Sequence, residues 1–192
     1  MRAKKIIKNF QCRLDIACGN DPFRPAMENI YFKDGYAYAT DAHIGVRHSL
    51  ELHGFSEKEI EFMDGKMIHK KLFRQIYSHF HIEAQEDGIM CRSDEISVKY
   101  FYTSPFSKFP NLEYVLKGLL KNNKKELNGF SLSAVLVSRL KDVFLFDGYS
   151  KSLEFSFRGD STGILVSPND DESYIGRQIG VIMPIVLEKS VF

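Results

Sequence analysis

Asp41 and His43 stand two residues apart in the segment YATDAH, residues 38–43. Residues two apart on a strand share a face, so this carboxylate and imidazole could form an acid/base pair. Together with His48 they could instead form a metal site, but the strand spacing places only Asp41 and His43 together, and His79 or His81 would have to be brought close by folding. The chain has no nucleophile elbow, phosphate-binding glycine loop or dinucleotide fingerprint. We therefore predict a protein that is not an enzyme and has no metal site and no cofactor.

The composition is that of an ordinary globular protein. Hydrophobic residues make up 44% of the 192 residues and charged residues 27%, enough to bury a substantial core. The apolar runs are too short to cross a membrane, and the N-terminus lacks the features of a signal peptide. Cys12, Cys18 and Cys91 have no CxxC spacing, which favours free thiols in a reducing compartment. We expect a cytoplasmic protein that does not contact a membrane.

The charges are segregated along the chain although the formal net charge is only +1. Residues 1–13, 66–74 and 117–125 each hold at least four lysines or arginines, whereas the acids collect in SEKEIEFMD, EAQED and SPNDDE. Such segregation can make one basic face on a nearly neutral protein. The alternative is that these residues are the solvated faces of unrelated helices.

Two Asp-Gly pairs predict β-hairpins. Asp34-Gly35 joins the strands ENIYFK and YAYATD, and this dipeptide tolerates the positive φ of a type I′ turn. Asp87-Gly88 predicts a second hairpin between HIEAQE and IMCRSD, followed by the strand EISVKYFY. IGVRHSL is predicted as a third strand after the first hairpin, with EIEFMDG as a candidate fourth. The later segments LFDGY, SLEFSFRGD, GILVSP and QIGVIMPIVL are predicted as strands as well.

Helices are predicted from apolar residues that recur on one face. Residues 69–80 place Leu72, Phe73, Ile76, Tyr77 and Phe80 together. The segment SLSAVLVSRLKDV places Leu132, Val135, Leu136, Leu140 and Val143 inward, with Ser131 or Ser133 as N-cap. At the N-terminus Ile6, Ile7, Phe10, Leu14 and Ala17 favour a helix, although Phe10, Cys12, Leu14 and Ile16 also alternate as in a strand.

These elements predict an α+β fold of three rounds, at roughly 10–62, 67–115 and 130–190, each with one helix and three or four antiparallel strands. The similarity between rounds is one of pattern rather than of motif. We expect a domain of two repeats at 1–115, a Lys/Asn-rich linker at 116–129 and a third repeat at 130–192. Each predicted helix carries cations on its polar side, which favours one shared basic surface.

Three segments, in this order, resemble the bacterial sliding clamps, the DNA polymerase III β subunits. RPAMENIYFKDGYAYATDAHIGVRH is similar to a clamp segment that runs from Arg-Pro-x-Leu to Thr-Asp-Gly-His-Arg-Leu. KMIHKKLFRQIY with SPFSKFPNLEYVL is similar to the repeat that ends in Phe-Pro-x-Tyr. Residues 130–187, with FSLSAVLVSRLKDV, LEFSF, GILVSP and IGVIMPIVL, resemble the final repeat, which closes on Met-Pro-Met-Arg-Leu. The resemblance covers about nine-tenths of the chain and implies a DNA-clamp-like fold.

The resemblance implies two binding surfaces. Clamp helices line a hole of DNA size, and phosphate contact needs only distributed cations; the residues expected to face duplex DNA without sequence specificity are Lys4, Lys5, Lys8, Arg24, Lys70, Lys71, Arg74, Arg139 and Lys141. In the family an apolar cleft captures short peptides from polymerases and other partners. Carried over, the cleft consists of Thr40, Ala42, His43, Gly45, Met183, Pro184, Ile185 and Val186.

Departures from the family pattern leave two functions open. Ile44 and Gly45 replace the Arg and Leu of the clamp motif, and Val186 replaces a further Arg. The chain also has three repeats where a full clamp has six, so four chains would be needed for a ring of six domains. The first interpretation is a DNA polymerase processivity factor that self-associates. The alternative is a clamp-fold module that binds peptides or partner proteins without encircling DNA.

Overall fold

The computed structural model describes residues 8–93, 95–104, 107–124, 132–146, 152–158, 163–168 and 172–183. The predicted α+β class is confirmed, with two antiparallel sheets and five α-helices in these ranges. The strands are β1 Asn29–Lys33, β2 Tyr36–Thr40, β3 Ile44–Ser49, β4 Met67–His69, β5 Ile82–Gln85, β6 Gly88–Arg92, β7 Ser97–Phe101, β8 Glu154–Phe157, β9 Ile164–Ser167 and β10 Gln178–Ile182. The helices are α1 Glu57–Met63, α2 Lys70–Tyr77, α3 Leu112–Leu120, α4 Ala134–Val143 and α5 Glu172–Arg177.

The larger sheet has seven strands in the order β4-β1-β2-β3-β10-β9-β8. Its middle is the antiparallel pair β3 and β10, in which Gly45 is opposite Val181 and His48 is opposite Gln178. The predicted boundary between a first domain at 1–115 and a third repeat at 130–192 therefore falls within one continuous sheet. The division into two domains stays a prediction.

The hairpin at Asp34-Gly35 has the predicted conformation. Lys33 pairs with Tyr36, and the two turn residues have φ of 50° and 81°, as a type I′ turn requires. The second hairpin forms with its turn one residue earlier than predicted, because Gln85 pairs with Gly88 across Glu86-Asp87. Gly88 is the first strand residue, and a Cβ there would lie 2.4 Å from the carbonyl oxygen of Tyr100. This glycine is needed for the close approach of β7, not for the turn.

The prediction of a strand at EIEFMDG is wrong, since residues 57–63 form α1. Glu59 and Ser56 make a capping box at its start, in which each side chain satisfies a backbone N–H of the first turn. Charged and apolar side chains alternate at Glu59-Ile60-Glu61-Phe62, which is the pattern typical of a strand. The smaller sheet, β5-β6-β7, follows α2 as predicted.

The predicted helices near 69–80 and 131–143 are present as α2 and α4. Phe73 and Ile76 of α2 and Leu140 and Val143 of α4 are buried. Two residues expected on the apolar faces are exposed instead. Phe80 lies beyond α2 and is 68% exposed, and Val135 is 69% exposed. The Ser133 side chain is at the N-cap position but makes no capping hydrogen bond; Ser131 lies outside the described residues.

The N-terminal helix prediction is wrong over the described residues. Residues 8–13 contain no helix, and only Leu14–Ala17 form a single 3₁₀ turn. Phe10, Cys12, Leu14 and Ala17 are nevertheless buried, so the segment follows the core as an irregular chain. Both the helical and the alternating pattern were consequences of that burial. Ile6 and Ile7 lie outside the described residues.

The predicted linker at 116–129 begins inside a helix. Residues 116–120 belong to α3, where Leu116 and Leu119 are buried, while residues 125–129 lie outside the described residues. Of the predicted strand LFDGY, only Leu145 and Phe146 are described, and they are in no strand. No helix in the described part of the chain is long and apolar enough to span a membrane.

The seven-stranded sheet has a different apolar cluster on each face. Ile30, Phe32, Ile44 and Val46 contribute to the larger cluster, which α2, α4 and the smaller sheet complete. The other face presents Tyr31, Tyr36, Tyr38, Ile179 and Val181, against which Leu112, Leu116 and Leu119 of α3 pack. We call these the α2/α4 face and the α3 face.

Candidate functional site

The segment YATDAH is the end of β2 and a tight turn into β3. Asp41 Oδ1 accepts hydrogen bonds from the backbone N–H groups of His43 and Ile44, both at 2.8 Å. Thr40 Oγ1 donates to the carbonyl of Ile44 at 2.7 Å and accepts from the N–H of Ala42 at 3.1 Å. Asp41 and Thr40 are therefore used to hold the turn. Asp41 and His43 follow β2 and are not on one strand, so the shared strand face from which an acid/base pair was predicted is absent.

Ala42, in the middle of this turn, has a φ of 74°. A Cβ is unfavourable in this left-handed region, and glycine is the residue that adopts it without strain. The clamp motif to which the sequence was compared has glycine at this position. Ala42 therefore strains the turn that it forms.

Arg139 of α4 is directed at the turn. Its Nη1 donates to Asp41 Oδ2 at 2.6 Å, and its Nη2 donates to the carbonyl of Ile16 at 2.6 Å. The Arg139 side chain is 26% exposed, and it fastens α4 to both the turn and the 3₁₀ segment. Arg139 was predicted to face DNA, but here it is occupied by internal partners.

A hollow of about 660 Å³ beside the turn combines residues from the two predicted surfaces. Arg24, Lys70 and Arg139 from the predicted DNA set line it together with Ala42 and His43 from the predicted cleft. Lys70 Nζ donates to the carbonyl of Gly19 and to Asn20 Oδ1, and Arg24 forms an ion pair with Asp21 at 3.1 Å. Each cation of this hollow thus has an internal partner, which is a carboxylate for Arg24 and Arg139 and a pair of neutral oxygens for Lys70.

The remaining predicted cations differ in their pairing. Lys8 forms an ion pair of 2.5 Å with the largely buried Glu59, and Lys4 and Lys5 lie outside the described residues. Lys71 and Arg74 of α2 and Lys141 of α4 are exposed, and within the described ranges none of them has an ion pair. We call these three residues the free cations.

The predicted peptide cleft is not an open groove at Gly45. A Cβ at Gly45 would lie 2.6 Å from Cδ1 of Leu112, so the first residue of α3 fills the space above this glycine. Thr40 is only 5% exposed and is held by the turn. Leu112 therefore closes the predicted cleft at Gly45.

Met183 lies in a hollow of about 520 Å³ on the α3 face. Its backbone N–H donates to the carbonyl of His43 at 2.8 Å. The other lining residues include Tyr114, Val115, Leu119 and Gly163, and Tyr114 is 76% exposed. We call this the Met183 hollow. Pro184, Ile185 and Val186 lie outside the described residues.

A second hollow, of about 450 Å³, lies elsewhere on the α3 face. Tyr31 and Phe109 line it with ring centroids 5.1 Å apart, and Tyr38, Met67 and Pro110 complete its apolar part. The α3 helix therefore leaves apolar surface open in two places. The sequence did not indicate this second hollow, because its wall depends on how residues 107–113 cross the sheet.

Arg47, which the sequence analysis did not single out, holds α3 to the sheet. Its Nη1 donates to both carboxylate oxygens of Glu113 at 3.0 and 3.1 Å, and Nη2 donates to the carbonyl of Ile175 at 3.0 Å. Its guanidinium lies 4.6 Å from the ring centre of Tyr36. Burial of Glu113 acts to raise its pKa, but the hydrogen bond and charge of Arg47 outweigh this and the pKa is lowered.

Cys12, His48 and His53 form a buried cluster on the α2/α4 face. One ligand-type atom from each lies within 4.8 Å of the others, and the rings of His48 and His53 are stacked with centroids 5.9 Å apart. Burial lowers the pKa of both histidines, to about 4 for His53, and raises that of the Cys12 thiol. At neutral pH the cluster is uncharged.

The described residues have the fold of the bacterial sliding clamps, which confirms the resemblance predicted from the sequence. The structure matches a DNA polymerase III β sliding clamp from Bartonella birtlesii, solved bound to griselimycin, with a TM-score of 0.58 and 12% identity over 96% of this chain and 68% of that one. It also matches the β subunit of Borrelia burgdorferi, solved with a natural product, with a TM-score of 0.57 and 13% identity over 92% and 61%.

A third match is the β subunit of Pseudomonas aeruginosa, with a TM-score of 0.54 and 16% identity over 90% of this chain and 63% of that one. At these identities the likeness is one of fold. The chain spans 61–68% of the length of the three clamp chains. No protein-family model matches the sequence, and no curated protein matches it.

Proposed function

We propose that the protein is a sliding-clamp-like DNA processivity factor without enzymatic activity, which binds duplex DNA through the free cations and tethers a partner peptide through the Met183 hollow. The fold supports the class of protein, and the free cations carry the proposal. The buried cysteines are free thiols, which is consistent with a protein that functions in the cytoplasm, where thiols stay reduced.

The free cations lie on two helices that pack against the same 3₁₀ turn, Leu14–Ala17. Lys71, Arg74 and Lys141 have no internal partner in the described ranges, so their charges are available to phosphates. Phosphate contacts of this kind are independent of sequence and release counterions, which makes them strongly dependent on salt. Lys70 and Arg139, in contrast, lose internal hydrogen bonds if they turn to DNA.

The DNA proposal is tested by fluorescence anisotropy of a labelled 30-base-pair duplex over a range of salt concentrations. The variant Lys71→Glu, Arg74→Glu, Lys141→Glu is compared with Lys58→Glu, Lys66→Glu, Lys121→Glu, which changes the net charge equally at exposed lysines elsewhere. We expect the first variant to reduce the slope of log K against log salt by about 2 to 3, since each phosphate contact contributes about 0.9. Equal losses in both variants would contradict a defined DNA face.

The peptide proposal rests on the apolar and accessible character of the Met183 hollow. Tyr114 and Val115 are exposed large apolar side chains beside Met183, and Met side chains adapt to varied apolar partners. A short peptide with one aromatic or aliphatic anchor fits such a site. The tested probe is a labelled peptide from the polymerase of the organism that encodes this chain.

Gly118 offers a way to block the hollow without disturbing the fold. It lines the hollow, and a Cβ at this position would meet no atom within 4 Å. We expect Gly118→Arg to abolish peptide binding in a fluorescence titration and to leave the melting temperature unchanged or higher, because glycine weakens helices. Gly176→Arg, also on a helix with open space around it, is the matched control. Unchanged binding in Gly118→Arg would reject the hollow as the peptide site.

We further propose that the chain self-associates, because the larger sheet ends in the edge strands β4 and β8, and edge strands can pair with another chain. Light scattering with and without circular duplex DNA measures the mass. A discrete oligomer that retains circular DNA better than linear DNA supports a closed ring. A monomer at all concentrations rejects the ring but leaves the DNA and peptide tests to stand separately.

A further inference from the structure

We propose that Cys12, His48 and His53 form a buried three-ligand site for a monovalent copper ion. The sequence spacing predicted no metal site, because the three residues come from an irregular N-terminal segment, from β3 and from the 3₁₀ turn Leu50–His53. Folding brings them together in the core. The DNA and peptide proposals do not depend on this site.

The separations suit coordination to one ion. Sγ of Cys12 lies 3.5 Å from Nδ1 of His48. Metal–sulfur bonds of about 2.3 Å and metal–nitrogen bonds of about 2.0 Å place two such ligands roughly 3.5 to 3.8 Å apart at tetrahedral or trigonal angles. The remaining ligand atoms, within 4.8 Å of one another, reach that geometry with side-chain shifts of up to about 1 Å.

The polar atoms of the cluster are incompletely satisfied. Nε2 of His48 and Nε2 of His53 are buried and have no hydrogen-bond partner in the described part of the chain, and both residues are fully enclosed. An unpaired polar atom in a core costs about 1 to 3 kcal/mol. His48 faces the Cys12 thiol with its other nitrogen, Nδ1, so Nε2 of His53 is the unpaired atom that coordination to a metal would satisfy.

The chemistry of the surroundings selects the ion. A thiolate with two imidazoles suits copper(I) or zinc, but zinc in structural sites takes four ligands. The described residues offer no fourth Cys, His, Asp or Glu here. Copper(I) with one thiolate gives a neutral centre, whereas zinc(II) would leave an uncompensated positive charge beside the rings of Phe10 and Phe144, where burial of charge is costly. On binding, the Cys12 thiol releases its proton to solvent and the S–Cu bond forms without any change of oxidation state.

Coordination has a predicted effect at Gln11. The backbone N–H of Gln11 now donates to Nδ1 of His53 at 3.2 Å, which leaves Nε2 carrying the ring proton. If Nε2 binds copper, the ring proton moves to Nδ1 and the Gln11 N–H must turn away. Gln11 is exposed and lies in no helix or strand, so this movement is local.

The test is anaerobic titration of the full chain with copper(I) against a chromophoric chelator such as bicinchoninate, with zinc(II) titrated in parallel. We expect one copper per chain, X-ray absorption showing one sulfur and two nitrogens, and a shift of the Gln11 amide signal in NMR. Cys12→Ser and His53→Gln are expected to weaken binding by more than about 100-fold. Cys91→Ser, which removes a different buried thiol, is expected to bind as the unmodified chain does.

The unmodified chain makes the proposal falsifiable even if a variant fails to fold. Absence of stoichiometric copper(I) binding in the unmodified chain overturns it. So does tighter binding of zinc(II) than of copper(I), or unchanged copper affinity in a folded Cys12→Ser variant. In each of these cases the cluster is a core contact in which the thiol and His48 form a simple hydrogen bond.

Discussion

The two faces of the seven-stranded sheet are covered very differently. The α2/α4 face meets two helices and a second sheet, and its residues Ile30, Phe32 and Val46 are completely buried. The α3 face meets mainly one nine-residue helix, which leaves the Met183 hollow at one place and the Tyr31–Phe109 hollow at another. Neighbouring residues of one strand therefore face a closed core and a partly open surface.

This difference separates the proposed functions in space. The helices of the closed face carry the free cations on their outer sides, while the open face supplies apolar surface for a peptide. A protein that holds DNA and a partner at once benefits from keeping the two contacts on opposite sides of a rigid sheet.

The largest expected effect compares two adjacent residues of β1. Phe32→Ala removes a ring from the closed face and is expected to cost about 3 to 5 kcal/mol of unfolding free energy. Tyr31→Ala, on the half-covered face, is expected to cost about 1 to 2 kcal/mol because part of its surface already meets water. Urea denaturation measures both. Equal losses would show that the two faces are equally well packed.

The buried ion pair of the α3 face gives the next effect. Arg47→Ala leaves Glu113 without its main partner and is expected to cost about 3 kcal/mol. Lys117→Ala removes the exposed partner of the same carboxylate, 3.3 Å away, and is expected to cost less than about 0.5 kcal/mol. Denaturation midpoints of the two variants decide whether α3 is held by the buried cation.

The effect of Arg47 also has a predicted pH dependence. The pKa of Glu113 is lowered in the folded state. The stabilisation that its ion pair with Arg47 provides is therefore fully present above the pKa of the unfolded state, near 4.5. This stabilisation is lost as the pH falls from about 4.5 through the lower pKa of the folded state, because Glu113 becomes protonated. The stability gap between the unmodified chain and Arg47→Ala should therefore narrow below pH 4.5; a gap that widens there would contradict the assignment.

Gly45 tests how closely Leu112 packs on the sheet. Gly45→Leu is expected to destabilise the protein by about 1 to 3 kcal/mol through overpacking, and Leu112→Ala in the same chain is expected to restore part of the loss. Thermal melts of the single and double variants give the coupling. If Gly45→Leu alone is neutral, α3 moves freely and the cleft opens more easily than the geometry indicates.

The smallest effect concerns the strained turn. Ala42→Gly relieves a φ of 74° and is expected to stabilise the protein by about 0.5 to 1 kcal/mol, the strain relief exceeding the added freedom of the unfolded chain. Ala39→Gly, in the adjoining strand, is expected to destabilise it. Calorimetry of the two variants distinguishes the relief of strain at the turn from a general effect of glycine. A loss of stability in both variants would contradict the proposed strain at Ala42.

Local chemistry made some elements predictable. Asp34-Gly35 specifies its own turn, and the spacing of Phe73 and Ile76 predicts α2. The error at α1 was avoidable, because Ser56 and Glu59 have capping-box spacing. α3 was partly mistaken for a linker because lysines and asparagines follow it directly, although Leu112, Leu116 and Leu119 repeat at helical spacing.

The binding residues were less predictable because their state depends on distant partners. Lys71 and Lys70 are neighbours in sequence, yet only Lys70 meets the carbonyl of Gly19. The residue that closes the cleft, Leu112, is 67 positions from Gly45, and no local pattern relates them. The cluster of Cys12, His48 and His53 likewise depends on tertiary packing alone.

The strand order has a consequence for synthesis of the protein. β10, the most C-terminal strand of the described residues, lies between β3 and β9 in the middle of the larger sheet. Until residue 182 has left the ribosome, β3 is an unpaired edge with apolar Ile44 and Val46, and such edges invite aggregation. Completion of the larger sheet must therefore wait for the synthesis of β10, and factors that shield exposed edges during translation should raise the yield of folded protein.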